Sequence, residues 1–241
     1  GRMFRGVKPY YDLLSLASPI VVFSGALVLD AGGNALHSLP IPHELAKKVL
    51  LYAKSRGLHA QVYRGDDFFF EKRNAFAQMY GDANGLPGVE APDLLAWEDL
   101  STPKVLIIDD AQKIRAAQKE ASRLFPELTA AVSKPRYLEI NVPEANKGAA
   151  LRFLAHYYGL SRDQVMAIGD SAIDLPMIEY AGFGVAVANA TPHVKEKADY
   201  ITLSNDEDGV AHVLEKFILG GAGEREAFCS AAQRKGEENP V

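Results

Sequence analysis

The sequence contains very little cysteine and no excess of basic residues. Its 241 residues include a single cysteine, Cys229, which cannot form an intramolecular disulfide, so a reducing compartment and a cytoplasmic location are expected. The 31 acidic residues outnumber the 26 basic ones and leave a formal net charge of −5. Nucleic-acid-binding domains usually carry a basic face and a raised isoelectric point. The composition therefore argues against a nucleic-acid partner.

Long apolar runs are missing as well. No segment approaches the ~20 consecutive apolar residues that a membrane-spanning helix needs, and no apolar stretch follows Gly1-Arg2 as it would in a signal peptide. A membrane partner is therefore not expected. Hydrophobic residues nevertheless make up 48% of the chain and charged residues 24%. These proportions are typical of globular proteins, and the length suffices for one large domain or two smaller ones with buried cores.

Short apolar runs alternate with helical patterns over most of the chain. The runs at 20–23, 104–108 and 165–168 have the length of strands buried on both faces, and helical spacing follows the last of them at 174–180. Strands that alternate with helices at this spacing pair in parallel. The sequence thus predicts an α/β protein with a doubly wound, parallel, Rossmann-like sheet.

The middle of the chain differs in kind, because hairpin-like strand pairs and long helices replace the regular alternation. We therefore predict a second, α+β domain at 36–136 that is inserted into the Rossmann-like core. The core would comprise 1–35 and 137–219. Glycines at 220, 221 and 223 and a charged remainder indicate a mobile tail over 220–241.

Two aspartates follow the strand at 165–168 and are the most informative polar residues. Asp170 ends the strand, and Asp174 opens the next helix. Ligands of open α/β sheets bind at the carboxyl ends of the strands, and one or two carboxylates are what Mg²⁺ requires of a protein. The alternative is purely structural, since aspartate is common at a strand end and as a helix cap. This segment alone leaves both interpretations open.

Lys147 stands at the start of a predicted helix, within Asn146-Lys147-Gly148. A cation at that position opposes the helix dipole, whereas a lysine beside a helix N-terminus suits a phosphate. An exposed lysine without a function is the alternative.

Together these segments resemble the third and fourth motifs of the haloacid dehalogenase superfamily, in its Cof-type phosphatase branch. Their order and spacing extend over about seventy residues, and the chain start resembles the end of the second motif. The 36–136 domain resembles the family's α/β cap more loosely. The matching stretches are Gly1-Arg2, Pro9-Tyr10, Ser24-Gly25-Ala26, Asn146-Lys147-Gly148, Gly169-Asp170 through Asp174 with Met177, and residues 181–190, 198–202 and 206–210.

The resemblance implies a Mg²⁺-dependent phosphohydrolase that acts on a small phosphorylated metabolite through an aspartyl-phosphate. By position, Lys147 is the catalytic lysine that neutralises the phosphate, and Asp170 is a metal ligand. Asp174 either binds the metal too or supports the carboxylate that does. The further substrate- or phosphate-binding residues implied are Arg2, Ser24, Gly25 and Asn189.

The sequence departs from the family pattern in two places. Ile173 stands where the family often has asparagine, and no Asp-x-Asp-Gly-Thr motif, which carries the nucleophile, is present. We expect the nucleophile and the first core strand to lie upstream of Gly1, and the 241 residues alone to be inactive. Asp109-Asp110 also follow an apolar strand, but helix capping accounts for them better.

Two other functions remain open. A catalytically inactive binding or regulatory module would be consistent with Ile173 and the missing motif, whereas Lys147, Asp170 and Asp174 favour an enzyme. A phosphomutase is the third possibility, because caps of this kind also serve transferases.

Overall fold

The computed structural model describes residues 1–220; the rest of the predicted 220–241 tail lies outside the described residues. The chain divides into two compact units, an N-terminal unit, Gly1–Ala145, and a C-terminal unit that begins at Asn146. Within 1–220, no helix combines the length and the apolar character that a bilayer crossing requires.

The N-terminal unit is built around a six-stranded mixed sheet with the strand order β6-β5-β4-β7-β9-β8. All neighbouring strands are antiparallel except β5 and β6, which run parallel. The strands are β4 (His59–Arg64), β5 (Asp67–Phe70), β6 (Val89–Glu90), β7 (Val105–Ile108), β8 (Thr129–Lys134) and β9 (Tyr137–Asn141).

The central strand β7 is buried on both faces, as its continuous apolar sequence predicts. Because side chains alternate along a strand, Val105 and Ile107 pack into one hydrophobic cluster and Leu106 and Ile108 into another. The first cluster lies under two helices, and the second includes Phe68 and Phe70 of β5. The sheet therefore separates two cores within one unit.

The remaining elements of this unit cover the sheet or lie beside it. Two helices pack on the first cluster. A second sheet is three-stranded and antiparallel, in the order β1-β2-β3. The elements are α1 (Phe4–Leu13), β1 (Ile20–Val22), β2 (Leu27–Leu29), β3 (Ala35–Ser38), α2 (His43–Ser55), α3 (Ala75–Asn84) and α4 (Ala111–Leu124).

A charged pair is buried in the N-terminal unit. Lys104 Nζ lies 3.2 Å from Glu139 Oε2, and the two side chains are 3% and 13% exposed. The lysine also donates to the carbonyl of Gly1 at 2.8 Å, and the Ser24 hydroxyl donates to the same glutamate at 3.2 Å. A buried charge of this kind is tolerated because its partner and hydrogen bonds replace water.

The C-terminal unit contains a parallel sheet with the strand order β10-β11-β12. Helices alternate with its strands, in agreement with the predicted pattern, and small apolar clusters fill the space between helices and sheet. The elements are α5 (Lys147–Tyr157), β10 (Met166–Gly169), α6 (Leu175–Tyr180), β11 (Phe183–Ala186), α7 (Pro192–Lys197), β12 (Tyr200–Ile201) and α8 (Gly209–Leu214).

The division of the chain differs from the predicted domain boundaries. The sequence predicts that 137–219 belongs to the core, whereas β9 pairs with β7 and β8 in the six-stranded sheet of the N-terminal unit. The physical reason is the β8–β9 hairpin, which carries Leu138 and Ile140 into the same cluster as β7. Residues 1–35 also belong to the N-terminal unit, since Val22, Phe23 and neighbouring side chains pack with the aromatic residues of β4 and β5.

Candidate active site

A tight turn at the carboxyl end of β10 brings the two predicted aspartates together. β10 ends at Gly169, a 3₁₀ turn follows at Ala172–Asp174, and α6 begins at Leu175. A Cβ atom on Gly169 would lie 2.5 Å from the Asp174 Cβ, so only glycine allows the second aspartate to fold back against the strand end.

Asp174 is buried and accepts hydrogen bonds at both carboxylate oxygens. Oδ2 accepts from the Ser171 hydroxyl at 2.7 Å and from the amides of Ser171 and Asp170 at 3.1 and 3.2 Å. Oδ1 accepts from Lys147 Nζ, which also forms a salt bridge with it. Asp174 and Ser171 form a reciprocal capping box, a device that closes the first turn of a helix. Asp174 thereby links the turn to the lysine.

The electrostatics separate the two aspartates. Partial desolvation raises the pKa of Asp170, and the neighbouring Asp174 carboxylate raises it further. Burial alone would also raise the pKa of Asp174, but the hydrogen bond and charge of Lys147 and the Ser171 hydroxyl outweigh it and lower that pKa. Asp174 is therefore the ionised partner of the lysine, and Asp170 is the carboxylate whose charge lacks full compensation. A cation beside Asp170 would supply that compensation.

Lys147 is positioned by the first turn of α5. The side chain of Asn146 caps this helix by accepting from the Ala149 amide at 2.9 Å. The next residue, Gly148, packs against α6, where a Cβ atom would lie 2.4 Å from the carbonyl oxygen of Pro176. The close crossing of α5 and α6 thus holds the lysine over the turn that contains Asp174.

Asp170 has the geometry of an accessible ligand. Its side chain is exposed, and its backbone carbonyl accepts from the Thr191 amide at 3.0 Å, which ties the strand end to the next loop. Within the described residues no cluster of three or more His, Cys, Asp or Glu could hold a metal ion. Two adjacent carboxylates are nevertheless a donor set that fits Mg²⁺, which keeps several waters and takes one or two protein carboxylates.

The remaining predicted site residues have other surroundings. Asn189 is exposed, and its Oδ1 accepts from the Asn205 amide at 2.9 Å in the C-terminal unit. Arg2, Ser24 and Gly25 belong to the N-terminal unit. The Arg2 carbonyl accepts from the Phe23 amide at 3.0 Å, and the Ser24 hydroxyl donates to a glutamate. Ser24 and Gly25 both have positive φ, 59° and 110°.

Two contributors to the site were not predicted from the sequence. Ser171 binds Asp174 through its hydroxyl and its amide, and Thr191 anchors the carbonyl of Asp170. The spacing Ser171-x-x-Asp174 is a capping-box pattern, so that signal was available. The Thr191 contact depends on tertiary packing and leaves no local signal.

Asp109 and Asp110 have structural partners. Asp110 occupies the N-cap position of α4, although its side chain makes no capping hydrogen bond and pairs with Arg136 at 3.0 Å instead. Asp109 is buried, accepts from the Asp110 amide at 2.7 Å and lies 3.0 Å from Lys113. A structural role accounts for both residues.

Comparison of the sequence with known proteins identifies its family. Residues 1–214 match the haloacid dehalogenase-like hydrolases. The Bacillus subtilis stress response protein YhaX is 38% identical over 227 residues, which cover 90% of this chain and 79% of that protein. The 5-amino-6-(5-phospho-D-ribitylamino)uracil phosphatase YitU of the same organism is 30% identical over 231 residues, covering 90% and 83%.

Solved structures give the same result. A haloacid dehalogenase-like hydrolase from Bacteroides thetaiotaomicron, 31% identical in sequence, matches with a TM-score of 0.81 over 89% of this chain and 83% of that one. The chain therefore belongs to the haloacid dehalogenase superfamily of hydrolases, in its Cof-type phosphatase branch. The predicted fold class, α/β with a parallel sheet and a second α+β region, is confirmed.

Proposed function

We propose that the protein is a Mg²⁺-dependent phosphohydrolase that acts on a small phosphorylated metabolite in the cytoplasm. The observation that carries this proposal is the cluster of Lys147, Asp174 and Asp170 at the carboxyl end of β10. Phosphoryl transfer depends mainly on positioning and on cations that neutralise the phosphoryl oxygens. Lys147 supplies a fixed cation next to this turn, and Asp170, whose charge is not fully compensated, supplies a ligand for a second cation.

Each residue of the cluster has a separate role in this proposal. Lys147 binds and neutralises the phosphoryl group, and Asp174 holds the lysine in place. Asp170 would hold Mg²⁺, which when bound polarises a phosphoryl oxygen. Asp174 acts mainly as a positioning residue, because both of its oxygens already accept hydrogen bonds. Arg2, Ser24, Gly25 and Asn189 are the proposed further contacts to substrate or phosphate.

The attacking carboxylate is proposed to lie ahead of Gly1, because the sequence contains no Asp-x-Asp-Gly-Thr motif. It would attack phosphorus, break the bond to the ester oxygen and release the substrate's alcohol, and water would then hydrolyse the aspartyl-phosphate to free phosphate. The substrate class is supported by the phosphatase YitU, whose name gives a small phosphorylated uracil derivative as its substrate. The 36–136 segment is proposed to act as a cap over the substrate.

Hydrolysis of a generic aryl phosphate tests the proposed reaction. The 241-residue chain should show no Mg²⁺-dependent turnover above background. A longer chain that includes the segment proposed ahead of Gly1 should turn over, and Asp170→Asn should lower its kcat/KM by at least about a hundredfold. Glu215→Gln is the matched control, since Glu215 is an exposed carboxylate on the terminal helical turn.

Two results would contradict parts of this proposal. Turnover by the 241 residues that Asp170→Asn abolishes would refute an upstream nucleophile. Absence of turnover in the longer protein on a panel of phosphate esters would instead favour the non-catalytic module, for which Ile173 is the supporting residue. Transfer of the phosphoryl group to a second hydroxyl of the substrate would indicate a phosphomutase.

Metal binding can be tested on the 241 residues without any turnover. Mg²⁺ at about ten times its dissociation constant should raise the thermal midpoint of unfolding by about 3 °C, because the ion binds only the folded state. Asp170→Asn should remove this rise, and Glu215→Gln should retain it. Without metal, the Asp170→Asn variant should be at least as stable as the original chain, because it removes the repulsion from Asp174. A full Mg²⁺ response in the variant would exclude Asp170 as a ligand.

A further inference from the structure

A groove in the C-terminal unit runs between α5 and α6, away from the residues assigned to the reaction. Its volume is about 760 Å³, within the range of small-molecule sites. Lys147, Asp170 and Asp174 are not among its lining residues. The residues that matter for its chemistry are Gly148, Ala149, Arg152, Arg162, Glu179 and Tyr180.

Arg152 presents its guanidinium on one side of the groove. The group lies over the ring of Tyr180, 5.4 Å from the centroid, and the side chain is exposed. In the part of the chain that the structure describes, Arg152 forms no salt bridge with a carboxylate. A guanidinium that stacks on an aromatic face keeps its in-plane N–H groups free for an oxyanion.

Arg162 reaches the groove from the 3₁₀ turn Arg162–Gln164. Its Nη2 donates to the carbonyl oxygen of Glu179 at 3.0 Å, which orients the guanidinium. Its Nε is buried and has no hydrogen-bond partner, alone among the buried side-chain nitrogen and oxygen atoms of residues 1–220. Buried donors nearly always find an acceptor, so the guanidinium of Arg162 has hydrogen-bonding capacity that the described residues do not use.

The charges around the groove favour an anion. Two arginines and one acid, Glu179, line the groove. Across residues 1–220 neither arginine is within salt-bridge distance of an acid. The first turn of α5 adds the positive end of a helix dipole. Planar guanidinium forks match phosphate oxygens in geometry as well as charge.

We propose that this groove is a second binding site, which takes a phosphate-bearing small molecule through Arg152 and Arg162. It is separate from the site proposed for the reaction and requires neither the metal nor the nucleophile. Gly148 and Pro176 line the groove and are sequence neighbours of Lys147 and Leu175. A ligand in the groove would therefore contact both α5, which carries Lys147, and α6, which follows the turn at 169–174. An effector of the proposed reaction could act through these contacts.

Binding of inorganic pyrophosphate without Mg²⁺ tests the proposal on the 241-residue chain. The probe should shift the NMR signals of the Nε–H groups of Arg152 and Arg162. The double variant Arg152→Gln/Arg162→Gln should weaken this binding at least about tenfold, as expected for the loss of two charge-assisted contacts. Arg123→Gln is the matched control, because Arg123 is an exposed arginine of α4.

A second variant separates binding from folding, since Arg162 also holds the end of α6. Glu179→Gln leaves the backbone carbonyl that Arg162 contacts and removes only the opposing charge. It should tighten pyrophosphate binding about two- to fivefold at low salt, and the gain should shrink as salt screens it. If the two arginines had only a structural role, Glu179→Gln would not tighten pyrophosphate binding.

Three results would overturn the proposal. The first is the absence of a shift at either arginine when the probe is in excess. The second is a shift at the amides of Asp170 and Ser171 only, which would place the probe at the reaction site. The third is an affinity that Glu179→Gln leaves unchanged or weakens. None of these results bears on the Mg²⁺ response of Asp170, so the two proposals can fail independently.

Discussion

Gly148→Ala is expected to destabilise the C-terminal unit by about 3 kcal/mol, the upper part of the range for overpacking a tight contact. A glycine-to-alanine substitution inside a helix usually stabilises a protein, by about 1 kcal/mol. We expect the opposite effect at this position. Here the added methyl would lie 2.4 Å from a backbone oxygen of α6. A backbone atom cannot rotate away, so α5 and α6 must separate.

Native-state hydrogen exchange of the β10 and β11 amides measures this effect within the unit concerned. Ala149→Gly is the matched control at the next position, and it should cost about 1 kcal/mol through helix propensity alone. The separation should also move Lys147 away from Asp174 and so weaken their salt bridge. Equal or higher stability in Gly148→Ala would show that the helices do not meet as closely as described.

Lys104→Met is expected to cost about 3–5 kcal/mol, the usual result of removing one partner from a buried ion pair. The variant leaves Glu139 almost fully buried without its cation. Lys54→Met is the matched control, because Lys54 pairs with Glu71 at 2.8 Å but is 58% exposed. An exposed pair of that kind contributes about 1 kcal/mol at most. Urea unfolding of the N-terminal unit compares the two variants.

The pH dependence distinguishes a lost ion pair from simple repacking. Burial alone would raise the pKa of Glu139, but the charge of Lys104, together with hydrogen bonds from Ser133 and Lys104, outweighs it and lowers that pKa below 4.5. In the original chain this contribution is complete above pH 4.5 and is lost as the pH falls through the lowered value. Without Lys104 the pKa of Glu139 should rise above 4.5, so the variant should gain stability as the pH falls towards that value.

The double variant Lys104→Met/Glu139→Leu should recover most of the loss, because it removes both buried charges. A cost below that of Lys54→Met, or an unchanged pH profile, would show that the pair contributes little in this unit.

Local patterns in the sequence predict the turn at 169–174 well. The apolar run before Gly169 and the aspartates at 170 and 174 specify a strand, a turn and a helix start within ten residues, so no distant contact was needed. The helix that begins at Lys147 also has a local signal, the capping Asn146.

Contacts between distant segments were not predictable in this way. The Lys104–Glu139 pair depends on the antiparallel register in which Leu106 lies opposite Glu139, and a change of register by one residue would turn the glutamate to the other face. The boundary at Ala145 was missed because β9 has an apolar pattern that suits either sheet. The contact of Arg162 with the end of α6 spans 17 positions and has no signature in either segment.

Asp174 closes a turn through its capping box and also forms a salt bridge with Lys147. These two roles restrict which residues can replace it. A substitution that removes the Asp174 carboxylate would therefore lose the lysine contact and the hydrogen bonds of the turn together. In the described contacts, the side chains of Asp170 and Ile173 do not combine two such roles. Lineages that change the chemistry of this turn should therefore vary at those two positions and keep Asp174.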